Sequence, residues 1–268
     1  MSRIEILGIP IDILTPEEAV REIASFFRKE GQFHVATPNP EMLVEAKRNP
    51  EFREVLRKTS LNLPDGIGLV WAVARASSPR NAVRRTAPLE RVTGIDTLQA
   101  LCSSESRICP PERVFLLGAA PGIAESAAEE LRKKNPALKV VGTFAGSPRE
   151  EDDEETVRHI NAAILAPRSS NRSEGGATLL FVAYGAPAQD LWIARNLPKL
   201  RTVKVAMGVG GAFDFLAGLQ KRAPAFLRRI GLEWLWRLIR EPRRAKRIWR
   251  AVVVFPWMVL TKAEKAGT

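Results

Sequence analysis

Residues 178–207 read TLLFVAYGAPAQDLWIARNLPKLRTVKVAM. The apolar run at 178–183 is followed by a turn of small and polar residues, a helix-forming segment over 189–196 and a second apolar run at 203–207. Two β-rich segments on either side of one helical segment are typical of a β-α-β unit, in which both strands run parallel in one sheet.

The same alternation extends over most of the chain. Further β-rich segments occur at 4–9, 33–36, 61–63, 113–117 and 139–141, and helical segments occur at 17–29, 40–58, 123–134 and 150–164. This order predicts an α/β fold with a mostly parallel sheet covered by helices. Two stretches, 76–88 and 167–176, are rich in Ser, Arg, Pro, Asn or Gly and are predicted to be surface loops or insertions.

The last fifth of the chain carries almost all of its net charge. Residues 219–268 hold thirteen Lys or Arg against three Asp or Glu, so ten of the eleven net positive charges of this 268-residue chain lie there. Four of the six tryptophans lie in the same stretch: Trp234, Trp236, Trp249 and Trp257. Basic and tryptophan side chains together favour an anionic membrane surface, so we divide the chain into a core at 1–218 and a basic appendage at 219–268.

The appendage has the pattern of an amphipathic helix. One side carries charge at helical spacing: Arg229, Glu233, Arg237 and Arg240. Another side is apolar: Phe226, Ile230, Trp234 and Leu238. Pro242 is expected to break or kink this helix. The apolar run at 251–260 is about half of the roughly 20 residues that cross a bilayer, so it could enter the interface but not span it.

Two other interpretations of the appendage stay open. It could be a helix packed on the core with a solvated arginine-rich face, or a basic helix that binds nucleic acid. Nucleic acid is the least favoured partner, because the segment lacks zinc-ligand spacing, a helix-turn-helix signature or a stacking sheet for single strands.

Several features exclude other classes. Cys102 and Cys109 have no nearby histidine and form no disulfide framework or zinc motif. No signal peptide is expected at the N-terminus, so the chain is predicted to be cytoplasmic, with any membrane attachment from that side. No Gly-x-Gly-x-x-Gly motif precedes an acidic residue about 20 positions on, which argues against a nicotinamide-dependent oxidoreductase. The acidic run at 152–155 suits a helix start, and His34 and His159 lack metal-ligand spacing, so no metal site is predicted.

Small and polar residues follow four of the predicted strands. They are Thr37 and Asn39, Asp65 with Gly66, Gly118 and Gly122, and Gly185 with Gln189. Ligands of open parallel sheets bind beyond the carboxyl ends of the strands, and small residues before a helix let backbone N–H groups approach a phosphate. The local pattern leaves structural roles open: helix capping for Thr37 and Asn39, a turn carboxylate for Asp65, and turn glycines for Gly118 and Gly122.

Seven motifs occur in one order along the chain. They are Thr37-Pro38-Asn39-Pro40-Glu41, Asp65-Gly66-Ile67-Gly68, Arg91-Val92-Thr93-Gly94-Ile95-Asp96, Gly185-Ala186-Pro187-Ala188-Gln189-Asp190, Gly208-Val209-Gly210-Gly211-Ala212-Phe213-Asp214, Arg222-Ala223-Pro224 and Leu232-Glu233-Trp234-Leu235-Trp236-Arg237. Together they resemble the signature of the WecG/TagA/CpsF glycosyltransferases, from about residue 4 to about residue 250. The resemblance implies a Rossmann-like core and an inverting transferase that needs no metal cofactor. Its substrates would be a UDP-sugar donor, with a sugar of the N-acetylmannosamine type, and a lipid-linked N-acetylglucosamine acceptor in teichoic acid or other cell-surface polysaccharide synthesis.

The resemblance also implies roles for individual residues. Asp65 would be the general base, Thr37 and Asn39 would orient sugar hydroxyls, Arg91 would contact a donor or acceptor oxyanion, and Gln189 would bind near the reacting sugars. Arg84 and Arg85 are alternatives to Arg91, because the stretch before it is longer than is usual in the family. Weaker candidates for nucleotide binding are Gly118, Gly122, Gly185, Gly210, Gly211 and Asp214. Candidates for the acceptor diphosphate and the membrane are Arg237, Arg240, Arg243 and Arg247.

Three points stay open at this stage. The family usually has Glu where this chain has Asp190, and the shorter side chain could alter an ion pair or hydrogen bond near Gln189. The oligomeric state is not determined by the motifs, so a homo-oligomer stays open. A nucleotide-binding protein without transferase activity, with a tail for membrane or nucleic acid, is the alternative function.

Overall fold

Eight strands occur in the part of the chain that the computed structural model describes, which comprises residues 2–77, 90–104, 113–165, 177–220, 222–224, 226–227 and 231–265. In chain order they are β1 Ser2–Ile6, β2 Ile9–Ile13, β3 Phe33–Ala36, β4 Leu61–Asn62, β5 Arg113–Gly118, β6 Lys139–Phe144, β7 Thr178–Ala183 and β8 Val203–Gly208. The last six form one sheet in the order β4-β3-β8-β7-β5-β6. All neighbours in this sheet are parallel, which confirms the predicted α/β class.

Helices cover both faces of this sheet. The α-helices of the described residues are α1 Pro16–Phe26, α2 Pro40–Ala46, α3 Pro50–Lys58, α4 Ile67–Ala76, α5 Gly94–Cys102, α6 Ile123–Lys134, α7 Asp153–Leu165, α8 Ala188–Asn196, α9 Ala212–Leu216, α10 Glu233–Arg240, α11 Ala245–Trp249 and α12 Phe255–Lys265. Strand β7 shows why two layers form: Leu179 and Phe181 pack towards α1, α5 and α6, and Leu180 and Val182 pack towards α7 and α8. Alternate residues of a strand point to opposite faces, so a continuous apolar run needs cover on both sides.

The strand predicted at 4–9 is instead a hairpin outside the main sheet. The chain reverses at Leu7 and Gly8, and β1 pairs antiparallel with β2. Both turn residues have positive φ, 52° and 86°, which is the backbone that a two-residue hairpin turn requires. The apolar run predicts a single strand because the Leu-Gly pair is a weak sequence signal for a turn.

The single helix predicted at 40–58 is two helices, α2 and α3. Asn39 and Asn49 cap them, with their Oδ1 atoms accepting from the backbone N–H groups of Met42 (3.0 Å) and Phe52 (2.9 Å). A proline occupies the first helical position after each cap, where its missing N–H costs nothing. The Asn-Pro pair that predicts a helix start at residue 39 occurs again at residue 49, where it starts a second helix.

The C-terminal segment packs on the core. Helix α10 ends before the 3₁₀ turn Pro242–Arg244, as Pro242 predicted, and the chain then continues through α11, the π-helical segment Arg250–Val254 and α12. Phe255 is fully buried against α2 and α4, and the Arg247 Nε and Arg250 Nη1 atoms bind Glu41 (2.7 Å) and Glu45 (3.3 Å) on α2. Across the described residues, we find no helix with the length and apolar content to cross a bilayer.

Candidate active site

The carboxyl ends of the six parallel strands meet at one edge of the sheet. The loops after β3, β4, β5, β7 and β8 carry most of the predicted site residues to this edge: Thr37, Asp65, Gly118, Gly122, Gly185, Gln189, Gly210 and Gly211. Strand β8 lies in the middle of the sheet. It separates one half with Thr37 and Asp65 from another half with the loops of β5 and β7.

Asp65 is held by backbone hydrogen bonds to two neighbouring loops. Its N–H donates to the carbonyl oxygen of Pro38 (2.8 Å), and the carbonyl of Pro64 accepts from the N–H of Val92 (3.0 Å). These bonds bring the loop of Thr37 and the segment of Arg91 next to Asp65, and we call this part of the sheet edge the Asp65 corner. Asp65 itself is partly exposed, so its carboxylate can meet a substrate.

Thr37 lies at the buried side of the Asp65 corner, next to the end of β8. Its buried Oγ1 donates to the carbonyl oxygen of Gly208 on β8 (3.4 Å), and a Cβ added to Gly94 would lie 3.4 Å from the same Oγ1 atom. A side chain at position 94 would therefore be in van der Waals contact with the Thr37 hydroxyl.

Five charged residues lie together beside this corner, and we call them the charged cluster: Asp65, Arg91, Asp96, Arg222 and Glu233. Arg91 Nη1 donates to Glu233 Oε2 at 2.7 Å, and Arg222 donates to both carboxylate oxygens of Asp96 at 2.6 and 3.1 Å. The hydrogen bonds to Asp96 raise the pKa of Arg222 against the opposing effect of burial, with further contributions from Glu233 and Asp65. The cluster therefore joins three carboxylates and two guanidinium groups from the core and from the C-terminal segment.

Gln189 links two of the loops at the sheet edge. Its side chain is buried, and its Oε1 accepts from the N–H groups of Gly185 (3.2 Å) and Gly210 (2.9 Å). A Cβ added to Gly208 would lie 2.5 Å from Gln189 Nε2, so the glycine makes room for the amide. The two backbone N–H groups are bonded within the protein, which gives Gln189 a supporting role in addition to the substrate contact that the motif predicts.

The glycines after β5, β7 and β8 are of two kinds. A Cβ on Gly118 would lie 2.9 Å from the carbonyl carbon of Ala183, so this glycine is required for the close packing of β5 and β7. By contrast, a Cβ on Gly122, Gly185 or Gly210 would meet no heavy atom within 4 Å. Within the described residues, the second group has open space beside it at the sheet edge.

Comparisons with known proteins decide the class of this site. A model of the glycosyl transferase WecG/TagA/CpsF family matches residues 4–267. The chain belongs to this family. The transferase is 31% identical over 242 residues to the N-acetylglucosaminyldiphosphoundecaprenol N-acetyl-beta-D-mannosaminyltransferase of Bacillus spizizenii, which covers 90% of this chain and 82% of the relative. It is 27% identical over 266 residues to the protein of the same name from Staphylococcus aureus (strain MRSA252), covering 98% of this chain and 94% of the relative.

The four arginine candidates of the transferase have different environments. The side chain of Arg237 lies outside the described residues, Arg243 is exposed, and Arg247 pairs with Glu41. The Arg240 guanidinium lies 4.9 Å from the centre of the Trp236 ring. Of the candidates whose side chains the structure describes, only Arg240 lines a cavity of about 270 Å³. Glu233 of the charged cluster lines the same cavity.

Two further candidates have partners inside the protein. Asn39 caps α2 through its Oδ1, as its position before Pro40 indicated. The backbone carbonyl of Asp214, in the middle of α9, accepts from the N–H groups of Leu219 (3.0 Å) and Gln220 (3.2 Å) and so fixes the turn that follows the helix. The alternatives Arg84 and Arg85 lie outside the described residues.

Sequence reasoning missed several charged residues of the transferase. Asp96, Arg222 and Glu233 lie in the ordered motifs but have no role predicted from the sequence; the usable signal is that each is a charged residue within one of these motifs. His34 was also set aside, yet its Nε2 lies 3.3 Å from Oδ1 of the fully buried Asp190. This contact involves the position where the family usually has Glu. Within the described parts of the chain, no three His, Cys, Asp or Glu side chains are grouped as a metal site would be.

Proposed function

We propose that the transferase moves a sugar of the N-acetylmannosamine type from a UDP donor to an N-acetylglucosamine that is linked to polyprenyl diphosphate. The observation that carries this proposal is the partly exposed Asp65, fixed at the carboxyl edge of the sheet beside Arg91 and Arg222, in a chain whose relatives are named for this reaction. The process served would be teichoic acid or exopolysaccharide synthesis.

In the proposed mechanism Asp65 is the general base. The acceptor hydroxyl oxygen attacks the anomeric carbon of the donor from the face opposite UDP, and the bond from that carbon to the UDP oxygen breaks. The hydroxyl proton goes to the Asp65 carboxylate, and the configuration at the anomeric carbon inverts. Thr37, Asn39 and Gln189 would orient the sugars.

Guanidinium groups, without a metal ion, would stabilise the charge that develops on the departing UDP. Arg240 is the best supported of the appendage candidates, because it lines a cavity with Glu233, the partner of Arg91. Bidentate contacts to phosphate oxygens suit arginine for this role. The open space beside Gly122, Gly185 and Gly210 supports placing the nucleotide over the loops of β5, β7 and β8.

The acceptor lipid would require the transferase to work at a membrane. We propose a peripheral attachment to the inner face of the cell membrane through the basic appendage. The exposed Trp249 and Trp257 and the ten net positive charges of residues 219–268 support this attachment.

A turnover assay tests the proposal. The full chain is given undecaprenyl-diphosphate N-acetylglucosamine with UDP-N-acetylmannosamine, its uronic acid or a UDP-glucose-type sugar, with and without EDTA, and UDP release is followed together with the mass of the glycolipid. We expect a product from the N-acetylmannosamine donor that EDTA does not prevent. Binding of UDP without product from any donor would contradict the proposed acceptor, and no binding of UDP would contradict the donor class.

A further inference from the structure

Helix α4 exposes a row of residues that a solvated helix would not be expected to carry. Ile67, Trp71 and Arg75 recur at four-residue steps on its outer face; Ile67 is 50% exposed and Trp71 is 38% exposed. The inner face of α4 is apolar and buried, with Leu69, Ala72 and Val73 in the core. Ile67 also lies close to Gly231 of the C-terminal segment, but the outer row still exposes an aromatic, an aliphatic and a basic side chain.

The consecutive helical segments α11, Arg250–Val254 and α12, which we call the C-terminal helix, expose a similar row. Trp249 and Trp257 are 61% and 64% exposed, and Val253 and Leu260 on the same side are also exposed. The residue at the centre of the opposite side, Phe255, is fully buried. The helix thus holds the core with one face and turns two tryptophans outward with the other.

The two rows are neighbours. Phe255 packs in the same cluster as Leu69 and Val73, so the C-terminal helix lies directly against α4. A Cβ added to Gly68 would lie 3.9 Å from the carbonyl oxygen of Ala251. Gly68 is adjacent to Ile67, and Ala251 is adjacent to the exposed Val252, so the start of α4 lies beside residues 251–252.

We propose that α4 and residues 249–260 form one membrane-binding surface, which we call the two-helix surface, and that its partner is an anionic lipid bilayer. The proposal deepens the proposed function, because it adds a core helix to the attachment assigned to the appendage. The charge argues for lipid over a second copy of the chain: Arg75 is exposed on α4, Arg243 and Lys246 are exposed in the segment just before residue 249, and two copies of such a basic region would repel each other. Tryptophans with basic side chains suit the headgroup region.

The two-helix surface fixes how the active site faces the membrane. Helix α4 begins at Ile67, two residues after Asp65. An interface that contacts Ile67 and Trp71 therefore brings the proposed base to the level of the lipid headgroups. A sugar carried on a membrane-bound diphosphate could then reach Asp65 without leaving the interface.

Vesicle flotation of full-length variants tests the two-helix surface. The wild type, the Ile67→Ser/Trp71→Ser double variant and Trp257→Ser are compared on vesicles of phosphatidylglycerol and phosphatidylcholine. We expect about a tenfold weaker partitioning for the double variant and a similar loss for Trp257→Ser, since each removes apolar contact with the bilayer. Leu165→Ser is the control, because Leu165 is also apolar and is about as exposed as Trp257, but it lies at the end of α7, which packs on β6 at the opposite edge of the sheet.

Arg75→Glu provides a second variant in case the double variant does not fold. It should weaken partitioning on anionic vesicles and leave partitioning on neutral vesicles unchanged. Unchanged flotation of both α4 variants, with Trp257→Ser impaired, would overturn the role of α4. If the wild type forms an oligomer that the double variant does not form, and flotation is unchanged, the exposed row of α4 serves contacts between copies. That result would overturn the proposal.

A soluble acceptor analogue separates this inference from the proposed function. The double variant should turn over a short-chain diphosphate-linked N-acetylglucosamine as fast as the wild type, but lose rate on the vesicle-embedded acceptor. If the wild type turns over neither acceptor, the proposed function fails, and flotation alone still decides the two-helix surface.

Discussion

At the scale of single residues, Asp65 is the most decisive position of the proposed mechanism. Asp65→Asn keeps the shape of the side chain and the backbone bond to Pro38, but it removes the base. We expect kcat to fall by about 10²- to 10⁴-fold with the affinity for UDP nearly unchanged. Steady-state kinetics and UDP titration measure the two effects, with Asp152→Asn, a carboxylate at the start of α7, as the control. Near-normal turnover of Asp65→Asn would remove this residue from the role of base.

Gln189 is predicted to act on the protein as well as on the substrate. Gln189→Met removes the acceptor of the Gly185 and Gly210 N–H groups and should lower the free energy of unfolding by about 1–3 kcal/mol. Gln189→Glu keeps an acceptor oxygen but buries a carboxylate beside Asp190, so it should lose at least as much. Urea denaturation gives both values. If Gln189→Met unfolds like the wild type but has lost turnover, the contact with substrate is the main role of the side chain.

At the scale of elements, the C-terminal helix has one face for the core and one for the surroundings. Phe255→Ala should lower the free energy of unfolding by about 3–5 kcal/mol, because the side chain is fully buried between α2 and α4. Trp257→Ala, two positions along the same helix, should change it by less than about 1 kcal/mol. Chemical denaturation in the absence of lipid compares them. Equal losses for the two variants would show that the orientation of this helix is not the one described.

The junctions between elements also explain which local predictions failed. Capping signals were sufficient for Asn39 and Pro40, but the second Asn-Pro pair at residue 49 was read as the interior of a helix. The apolar content of residues 4–9 indicated β structure without giving the reversal at Leu7 and Gly8. Both failures concern turns. A few local interactions decide the path of the chain there, and the apolar periodicity does not predict it.

At the scale of the whole molecule, the Asp96–Arg222 pair connects the core to the start of the C-terminal segment. Burial alone would raise the pKa of Asp96, but hydrogen bonds from Arg222 and Thr93 hold it below its ordinary value of 3.8. A carboxylate with a lowered pKa in the folded state contributes stability that is complete above its unfolded pKa and is lost as the pH falls through the folded pKa.

We therefore expect the wild type to lose more stability than Asp96→Asn between about pH 5 and about pH 3. Urea denaturation at a series of pH values measures the two slopes, and high salt should reduce the difference because Asp96 is partly exposed. Glu151→Gln, which alters an exposed carboxylate, serves as the control. Parallel slopes for the wild type and Asp96→Asn would mean that this pair does not contribute to acid sensitivity.

The α/β class, the break at Pro242 and the family follow from the amino-acid sequence alone, and the strand ends predict where the candidate site lies. Apolar runs, caps and ordered motifs are local in the chain, so they can be read without coordinates. The pairing of Glu233 with Arg91 and of Arg222 with Asp96 becomes visible in the folded chain, because these pairs join residues 142 and 126 positions apart. The tertiary structure also decides that Arg247 binds Glu41 and that α4 lies beside the C-terminal helix. Such contacts depend on how the sheet edge and the appendage pack together, and neither partner carries a local signal for the other.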